Sequence, residues 1–284
     1  MKSSAASSRS SRNNDMYLAD YHIHSTCSPD GKLSMAEIAG IAVSRGLQEI
    51  CITDHVDTYD WHSGEKRTDY DWEKAFAQYR EAVERWGDRI AVKLGAELSG
   101  VVRYPDEADC LMQRGRDLDF VNGSVHLAAE KFDWFDLYFI KEHDMPYYRD
   151  LIEHYLRDTV TLARWGRFHV LGHMTLPLRY LHEHLGIDMT FDDYMDAVEE
   201  IFRIIIPKGI GIECNTNRGG MPLPYDTILR RYREMGGEVI TLGSDAHASE
   251  HIGCAIAARQ QLLRDCGFRY FTTFTKGEPT FRPL

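Results

Sequence analysis

The sequence lacks any run of 18 consecutive apolar residues, and this absence argues against a membrane-spanning helix. Basic residues are scarce relative to acidic ones, since 33 Lys and Arg stand against 44 Asp and Glu for a net charge of −11. This balance disfavours nucleic acid as a partner, because a phosphate backbone is bound mainly through Lys and Arg. The first 15 residues lack the apolar segment of a secretory signal, and their Ser and Arg content predicts a disordered tail, with a short transit-like peptide as the alternative.

The six cysteines show neither a CxxC pair nor the regular spacing of a disulfide framework. Several of them lie inside apolar runs, where a reduced and buried thiol is the common state. We therefore expect the protein to work in a reducing compartment and predict a cytoplasmic location.

Short β-type runs alternate with segments of helical period from residue 16 onward. The predicted strands are Tyr17–Ile23, Glu49–Thr53, Ile90–Glu97, Leu118–Gly123, Phe168–Gly172, Gly209–Cys214, Glu238–Gly243 and Arg269–Phe274. The predicted helices are one that opens at the capping box Ser34–Glu37 and ends near Gly46, then Asp71–Trp86, Glu107–Arg114, Met145–Trp165, Phe191–Ile206, Tyr225–Met235 and Ile252–Cys266. This alternation predicts an α/β fold with a parallel sheet and outer helices. No break in composition divides residues 16–284, so we expect a single domain.

Side chains able to bind a metal follow nearly every predicted strand. They are His22, His24, Asp30, His55, Glu97, His126, His173, Asp245 and His247. In a barrel of parallel strands, the residues at the C-terminal strand ends meet on one rim and form the active site. We therefore expect these nine residues to converge there although they are distant in sequence.

Nine potential ligands are too many for one four- to six-coordinate ion and suit two or three divalent ions. A nitrogen-rich set with some carboxylates favours Zn, Mn or Fe over Ca or Mg. The carboxylates, Glu97 first, are the natural bridges, because one imidazole nitrogen cannot bind two ions. Such a cluster can generate hydroxide at neutral pH and hold both oxygens of an in-line displacement. This chemistry suits phosphate-monoester hydrolysis, one of the slowest uncatalysed reactions.

Six motifs resemble, in order and spacing, those of the PHP (polymerase and histidinol phosphatase) superfamily, and within it those of the histidinol-phosphate phosphatases. They are HIHSTCSPDG, ITDH, GAELSG, NGSVH, LGHM and LGSDAH, and the resemblance runs from about Asp20 to about Gly253. It implies a distorted (β/α)7 TIM-like barrel with its metal site at the C-terminal ends of the strands and the eighth strand peripheral. Asp30 stands where some relatives have histidine, which leaves the preferred ion open.

The resemblance also implies three ligand sets. The first ion would be held by His22, His24, Glu97 and Asp245, the second by Glu97, His126 and His173, and the third by Asp30, His55 and His247.

Phosphate recognition also needs cationic donors, and a guanidinium can bind two phosphate oxygens at once. Arg179 follows His173 by six residues, Arg218 follows the Asn-Thr-Asn run, and we place both in rim loops. By the resemblance we expect Arg179, Arg218 and Asn217 to bind the substrate. We assign catalytic roles to Glu97, Asp245 and His247.

The resemblance implies a metal-dependent phosphomonoesterase of histidine biosynthesis that hydrolyses L-histidinol phosphate, a small phosphorylated substrate. One alternative keeps the metals and changes the substrate to a nucleotide, a sugar phosphate or phosphotyrosine. A different class is a binding barrel without catalysis, which we disfavour because all nine candidate ligands are present. The oligomeric state is left open.

Two segments, Val56–Tyr70 and Leu127–Asp144, are predicted as long, aromatic-rich rim loops. Trp61 and Trp134 either stack on a substrate ring or pack the loops against the barrel. In the first case an acid in these loops could bind a substrate ammonium, the candidates being Asp57, Asp60 and Asp133.

Overall fold

The computed structural model of the chain describes residues 16–115 and 117–284. Its strands are β1 (Ala19–Ile23), β2 (Glu49–Ile52), β3 (His55–Asp57), β4 (Ala91–Ser99), β5 (Phe120–Gly123), β6 (Val170–Leu171), β7 (Gly211–Asn215), β8 (Ile240–Gly243), β9 (Tyr270–Thr275) and β10 (Glu278–Pro283). Its helices are α1 (Met35–Ser44), α2 (Trp72–Trp86), α3 (Pro105–Arg114), α4 (Met145–Trp165), α5 (Leu176–Leu185), α6 (Met195–Ile205), α7 (Asp226–Glu234) and α8 (Ile256–Asp265).

The first eight strands form one parallel sheet that curls into a nearly closed barrel. Along the sheet the order is β1, β2, β4, β5, β6, β7, β8. β2 and β3 pair with successive parts of β4, so together they fill one strand position. The barrel closes where the backbone N–H of His24 donates to the Ala246 carbonyl at 2.9 Å, joining the ends of β1 and β8. The predicted seven-stranded α/β barrel is thus confirmed.

The C-terminal strands β9 and β10 form a separate antiparallel hairpin. This hairpin covers the N-terminal end of the barrel: Arg282 contacts Glu49 at the start of β2, and the N–H of Ile240 at the start of β8 donates to Oγ1 of Thr272. The eighth predicted strand is therefore peripheral, as expected. Its partner β10 was not predicted, because two prolines and two charged residues break the β-type pattern.

Local sequence signals set several helix boundaries as predicted. Ser34 and Glu37 form a reciprocal capping box at the start of α1, with the Ser34 N–H donating to Glu37 Oε2 at 2.8 Å. Asp71 caps α2 through the Lys74 N–H at 2.9 Å. Long amphipathic segments such as α4 have the predicted bounds.

Four local predictions differ from the structure. α5 (Leu176–Leu185) was not predicted, and Arg179 lies within this helix instead of a loop. The segment Val56–Tyr70 begins as β3, because its first residues complete the ladder with β4. Two predicted helices start four residues late: Phe191–Ile206 opens with a 3-10 turn before α6 begins at Met195, and Ile252–Cys266 is α-helical only from Ile256.

Other expectations concern the whole chain. The tail predicted for residues 1–15 lies outside the described residues, and the single domain predicted for residues 16–284 stays a prediction. None of the helices within residues 16–115 and 117–284 combines the length and apolar character that a membrane crossing requires. The six cysteines, all within the described part of the chain, are free.

Candidate metal centre

The C-terminal end of the barrel brings together all nine residues proposed as metal ligands. β1 supplies His22 and, just past its end, His24, while β3 starts at His55 and β4 carries Glu97. The other members lie in loops that follow strands, and these are Asp30, His126, His173, Asp245 and His247. The convergence has a simple cause, since parallel strands of one barrel end on the same rim.

Glu97 lies at the centre of the cluster and is almost fully buried. Its two oxygens together contact five imidazoles, those of His22, His24, His55, His126 and His173. Oε1 lies 2.8 Å from Nε2 of His173 and 3.1 Å from Nε2 of His126, and Oε2 lies 3.0 Å from Nδ1 of His55. A carboxylate in this position has both oxygens available to ligands, and the bridging role expected of Glu97 stays a prediction.

Asp245 and His247 form the opposite side of the cluster. Oδ1 of Asp245 lies 3.3 Å from Nε2 of His24, and the His247 ring stacks on the His24 ring with centroids 4.0 Å apart. Nε2 of His247 lies 3.0 Å from Oδ2 of Asp30, which is the most exposed of the nine. Three-residue groups within ligand distance of one another occur here, namely His22–His24–Asp245, His22–Glu97–His173 and His24–His55–His247.

Several of the atoms that could bind a metal ion have no hydrogen-bond partner within the described residues. Nε2 of His22, Nε2 of His24, Nδ1 of His55 and Oε2 of Glu97 are buried, yet they make no hydrogen bond of acceptable geometry within the described residues. Buried polar atoms are normally satisfied, and an unsatisfied one is costly. Imidazole nitrogens and carboxylate oxygens that converge in this way fit divalent cations of the Zn, Mn or Fe type.

A buried layer of polar residues orients the candidate ligands. Oε1 of Glu213 lies 2.7 Å from Nδ1 of His22, and Oε2 accepts the backbone N–H of His173 at 2.8 Å. Sequence analysis missed Glu213. A signal was present in the sequence, because Glu213 is the one charged residue of the buried strand β7, whose other residues are glycine, apolar or amide residues.

A second group of this layer holds the loop after β1. Asp54 accepts hydrogen bonds from the Ser25 N–H at 2.6 Å and from Ser28 Oγ at 2.8 Å. Ser28 Oγ in turn accepts the His55 N–H at 2.9 Å and lies 3.2 Å from Nδ1 of His24. The ring of His24 and the backbone of His55 are thus fixed by one hydroxyl.

The pKa values within the cluster reflect this crowding. Burial alone would raise the pKa of Glu97, but the imidazoles of His126, His22 and His55 hold it well below its usual value. Burial, His247 and His55 together lower the pKa of His24, which keeps that ring neutral.

His55 shows the opposite balance. Burial lowers its pKa, but the Glu97 and Asp57 carboxylates outweigh burial and raise the pKa to about 10. A cation that displaces this proton would take over its electrostatic role.

The two candidate phosphate-binding arginines meet at one glutamate. Nη1 of Arg179 donates to Oδ2 of Asp245 at 2.9 Å, and its Nε lies 3.4 Å from Glu183. Arg218 lies in the turn after β7 and reaches the same Glu183 at 3.3 Å. Asn217 closes that turn, since its Nδ2 donates to the Met221 carbonyl at 2.9 Å, while its Oδ1 is buried without a partner among the described residues.

The chain is similar to known proteins over most of its length. The profile of the PHP domain matches residues 20–217. Among curated proteins, a probable histidinol-phosphatase of Thermotoga maritima is 29% identical over 260 residues, 89% of this chain and 94% of the relative. The histidinol-phosphatase of Lactococcus lactis is 26% identical over 271 residues, 92% of this chain and 95% of the relative.

Solved structures share the fold. The histidinol phosphate phosphatase of Lactococcus lactis, crystallised with zinc, L-histidinol and phosphate, superposes with a TM-score of 0.78 at 22% identity and covers 93% of this chain and 98% of that one. A putative histidinol phosphatase from Listeria monocytogenes gives a TM-score of 0.71 at 18% identity over 84% of this chain and 99% of that one.

Proposed function

The chain belongs to the PHP domain family, and on this premise we propose that it is a metal-dependent phosphomonoesterase that hydrolyses L-histidinol phosphate to L-histidinol and phosphate. The substrate assignment draws on the relatives named histidinol-phosphatase, which align with nearly the whole chain. We further propose that the reaction belongs to histidine biosynthesis in the cytoplasm.

One observation carries the proposal: a guanidinium lies against a carboxylate of the metal-binding cluster. Arg179 Nη1 is 2.9 Å from Asp245 Oδ2, and Asp245 in turn contacts His24. A phosphoryl group bound at this edge would meet metal ions on one side and a planar, bidentate donor on the other. This combination favours phosphate-ester hydrolysis over a binding barrel without catalysis.

The cofactors we propose are two or three divalent ions of Zn, Mn or Fe. The sets are His22, His24, Glu97 and Asp245 for one ion, Glu97, His126 and His173 for another, and Asp30, His55 and His247 for a third. When bound, such ions supply a hydroxide nucleophile at neutral pH and neutralise the charge of the phosphoryl oxygens.

The side chains of the chain then have separate tasks. Arg179 and Arg218 bind phosphoryl oxygens, and Asn217 fixes the turn that carries Arg218. Asp245 orients the Arg179 guanidinium against the cluster, which is the catalytic role we assign to it together with Glu97 as the bridge. His247 lies at the exposed edge, where it contacts Asp30, and we assign it a catalytic role there.

The test is phosphate release by protein reconstituted separately with Zn, Mn and Fe. We expect kcat/KM for L-histidinol phosphate to exceed that for nucleotides, sugar phosphates and phosphotyrosine by about 100-fold, within the usual enzyme range of about 10⁴–10⁸ M⁻¹s⁻¹. Comparable weak rates on every ester would retain the phosphatase chemistry and remove the histidinol assignment. A complete absence of phosphate release with all three metals would overturn the proposal.

A further inference from the structure

Asp57 is a buried carboxylate for which the proposed reaction has no use so far. It ends β3, two residues beyond His55, so both side chains lie on the same side of the strand. Its partner in the ladder is Ser99, two residues further along the strands than the pair His55 and Glu97. Asp57 therefore lies beside the candidate ligands, at the C-terminal end of β3.

One of its oxygens has no partner. Oδ2 of Asp57 accepts the indole N–H of Trp61 at 2.6 Å, which fixes the carboxylate in place. Asp57 is only 6% exposed, and its Oδ1 is buried without any hydrogen bond within the described residues. A buried carboxylate oxygen without a donor is costly, so this atom calls for a ligand that brings an N–H or a positive charge.

A second carboxylate, that of Asp136, lies nearby. Asp136 is held beside His126 by a short backbone pairing in which the Leu137 N–H donates to the His126 carbonyl at 2.9 Å. Its Oδ1 accepts the Tyr138 N–H at 2.9 Å. A ligand oxygen of Asp57 lies within 4.8 Å of a ring nitrogen of the same His126, so the two carboxylates lie in one region at the edge of the cluster.

We propose that Asp57 and Asp136 bind the ammonium group of the substrate, so that the enzyme selects phosphate monoesters of alcohols that carry an amine on the carbon next to the ester carbon. This inference rests on the proposed function and specifies how the enzyme distinguishes its substrate from other phosphate monoesters. Trp61 is the positioning residue, because its indole fixes Asp57 while its ring contacts the edge of His55 at a centroid distance of 5.0 Å.

The reach of such a substrate fits the geometry. A ligand oxygen of Asp57 lies within 4.8 Å of ring nitrogens of both His55 and His126, which belong to two different proposed ion sites. An ester oxygen held between those sites would have the amine of its alcohol only two carbon atoms away. An uncharged alcohol would leave Oδ1 of Asp57 without a donor, and this penalty supplies the discrimination.

The experiment compares two esters in Asp57→Asn and Asp136→Asn: L-histidinol phosphate and the matching imidazolylpropyl phosphate, which lacks only the amine. We expect the ratio of kcat/KM between them to fall by about 10- to 100-fold in each variant, as for the loss of a charge-assisted hydrogen bond, mainly through KM. The matched control is Glu130→Gln, because Glu130 is an exposed acid of the same loop as Asp136. The ratio of this variant should equal that of the wild type.

Metal content, measured on every variant, separates the subsite from a metal site. An unchanged ratio in both variants overturns the proposal. Equal losses on both esters together with a lower metal content in Asp57→Asn also overturn it, because they would make Asp57 a ligand beside His55 and His126.

A binding measurement keeps this test independent of catalysis. Calorimetry of the metal-loaded protein with L-histidinol and with imidazolylpropanol should show a preference for the amine that Asp57→Asn removes. If the wild type releases no phosphate from either ester, the proposed function fails, and this binding difference alone decides whether the ammonium subsite exists. Equal affinity of the wild type for both alcohols would reject the subsite even if the phosphatase activity is present.

Discussion

The carboxylate of Glu213 links two candidate metal ligands that are distant in sequence: Oε1 lies 2.7 Å from Nδ1 of His22, and Oε2 accepts the backbone N–H of His173 at 2.8 Å. A carboxylate accepts only, so Nδ1 of His22 carries the proton and Nε2 is left to bind an ion. Burial lowers the pKa of His22, but Glu213 and Glu97 outweigh it and raise the pKa well above the usual value.

Replacing Glu213 with Gln should lower metal affinity by about 10- to 100-fold, since partners of ligating histidines have effects of this size. Metal titration of the chelator-treated protein, with an optical or calorimetric readout, measures the change. The matched control is Glu49→Gln, because Glu49 is equally buried but lies at the opposite end of the barrel, where it contacts Tyr17 and Arg282. If both variants lower stability and neither changes metal affinity, Glu213 has only a structural role.

Glu97→Gln should reduce kcat by about 1,000-fold or more, because loss of a bridging carboxylate removes several kcal/mol of transition-state stabilisation. The amide keeps the volume of the side chain but cannot supply two anionic oxygens to five imidazoles. Metal content and kcat on L-histidinol phosphate are measured together. A variant with wild-type kcat and full metal content would show that Glu97 bridges nothing.

The two arginines should contribute unequally. Arg179 is largely buried and donates to Asp245 at 2.9 Å, whereas the Arg218 side chain is 36% exposed and reaches Glu183 only at 3.3 Å. We expect Arg179→Ala to lower kcat/KM by about 10- to 100-fold and Arg218→Ala by less than about 10-fold, because screening weakens an exposed guanidinium. Inhibition by inorganic phosphate should weaken in the same order.

The control is Arg157→Ala on α4, where the arginine is exposed and pairs with Glu153. Equal effects of all three substitutions would contradict the assignment.

Removal of bound metal should destabilise the fold. Ions that bind only the native state at 1,000 times their Kd stabilise it by about 4 kcal/mol. For a chain of this size that corresponds to a Tm loss of about 7 °C on chelation. Adding back Zn, Mn or Fe should reverse the loss of Tm, and the ion that restores the highest Tm is the preferred one. An unchanged Tm after complete removal of the metal, verified by elemental analysis, would mean that the cluster is stable without ions.

The rim of the barrel could be predicted from sequence because its signals are local and repeated. Most of the short β-type runs are followed by a histidine or a carboxylate. The parallel topology then brings these side chains together at one rim of the barrel. Helix starts were equally clear where a cap is present, as at Ser34 and Asp71.

The missed features depend on tertiary contacts. β3 is three residues long, and only its ladder with β4 makes it a strand. Glu213 carried a weak signal as a carboxylate inside a buried strand, but its partners His22 and His173 are distant in sequence, so its role emerges only from the folded barrel. For α5 a signal was present: Pro177 near its start and Gly186 after its end frame apolar residues at helical spacing.

The carboxyl group of Asp158 on α4 makes stability depend on pH. Burial raises the pKa of Asp158 to about 6 in the folded chain, from an ordinary value of 3.8. It lines a small cavity together with Arg103, Trp134 and the candidate ligand His126.

Below pH 3.8 this carboxyl group holds its proton in both states and does not weaken the fold. Between pH 3.8 and 6 the folded state keeps a proton that the unfolded state has released, so stability falls as the pH rises through this window. Above pH 6 the ionised group carries its full desolvation cost.

Asp158→Asn keeps the shape of the side chain and removes the charge. The Tm of the variant minus that of the wild type should therefore be more positive at pH 8 than at pH 4, and most of the change should occur between pH 4 and 6. Thermal unfolding of chelator-treated protein across this range measures the difference without interference from metal binding. The exposed Asp133→Asn is the control and should show no such trend. A Tm difference that does not change with pH would mean that Asp158 is well solvated in the folded state.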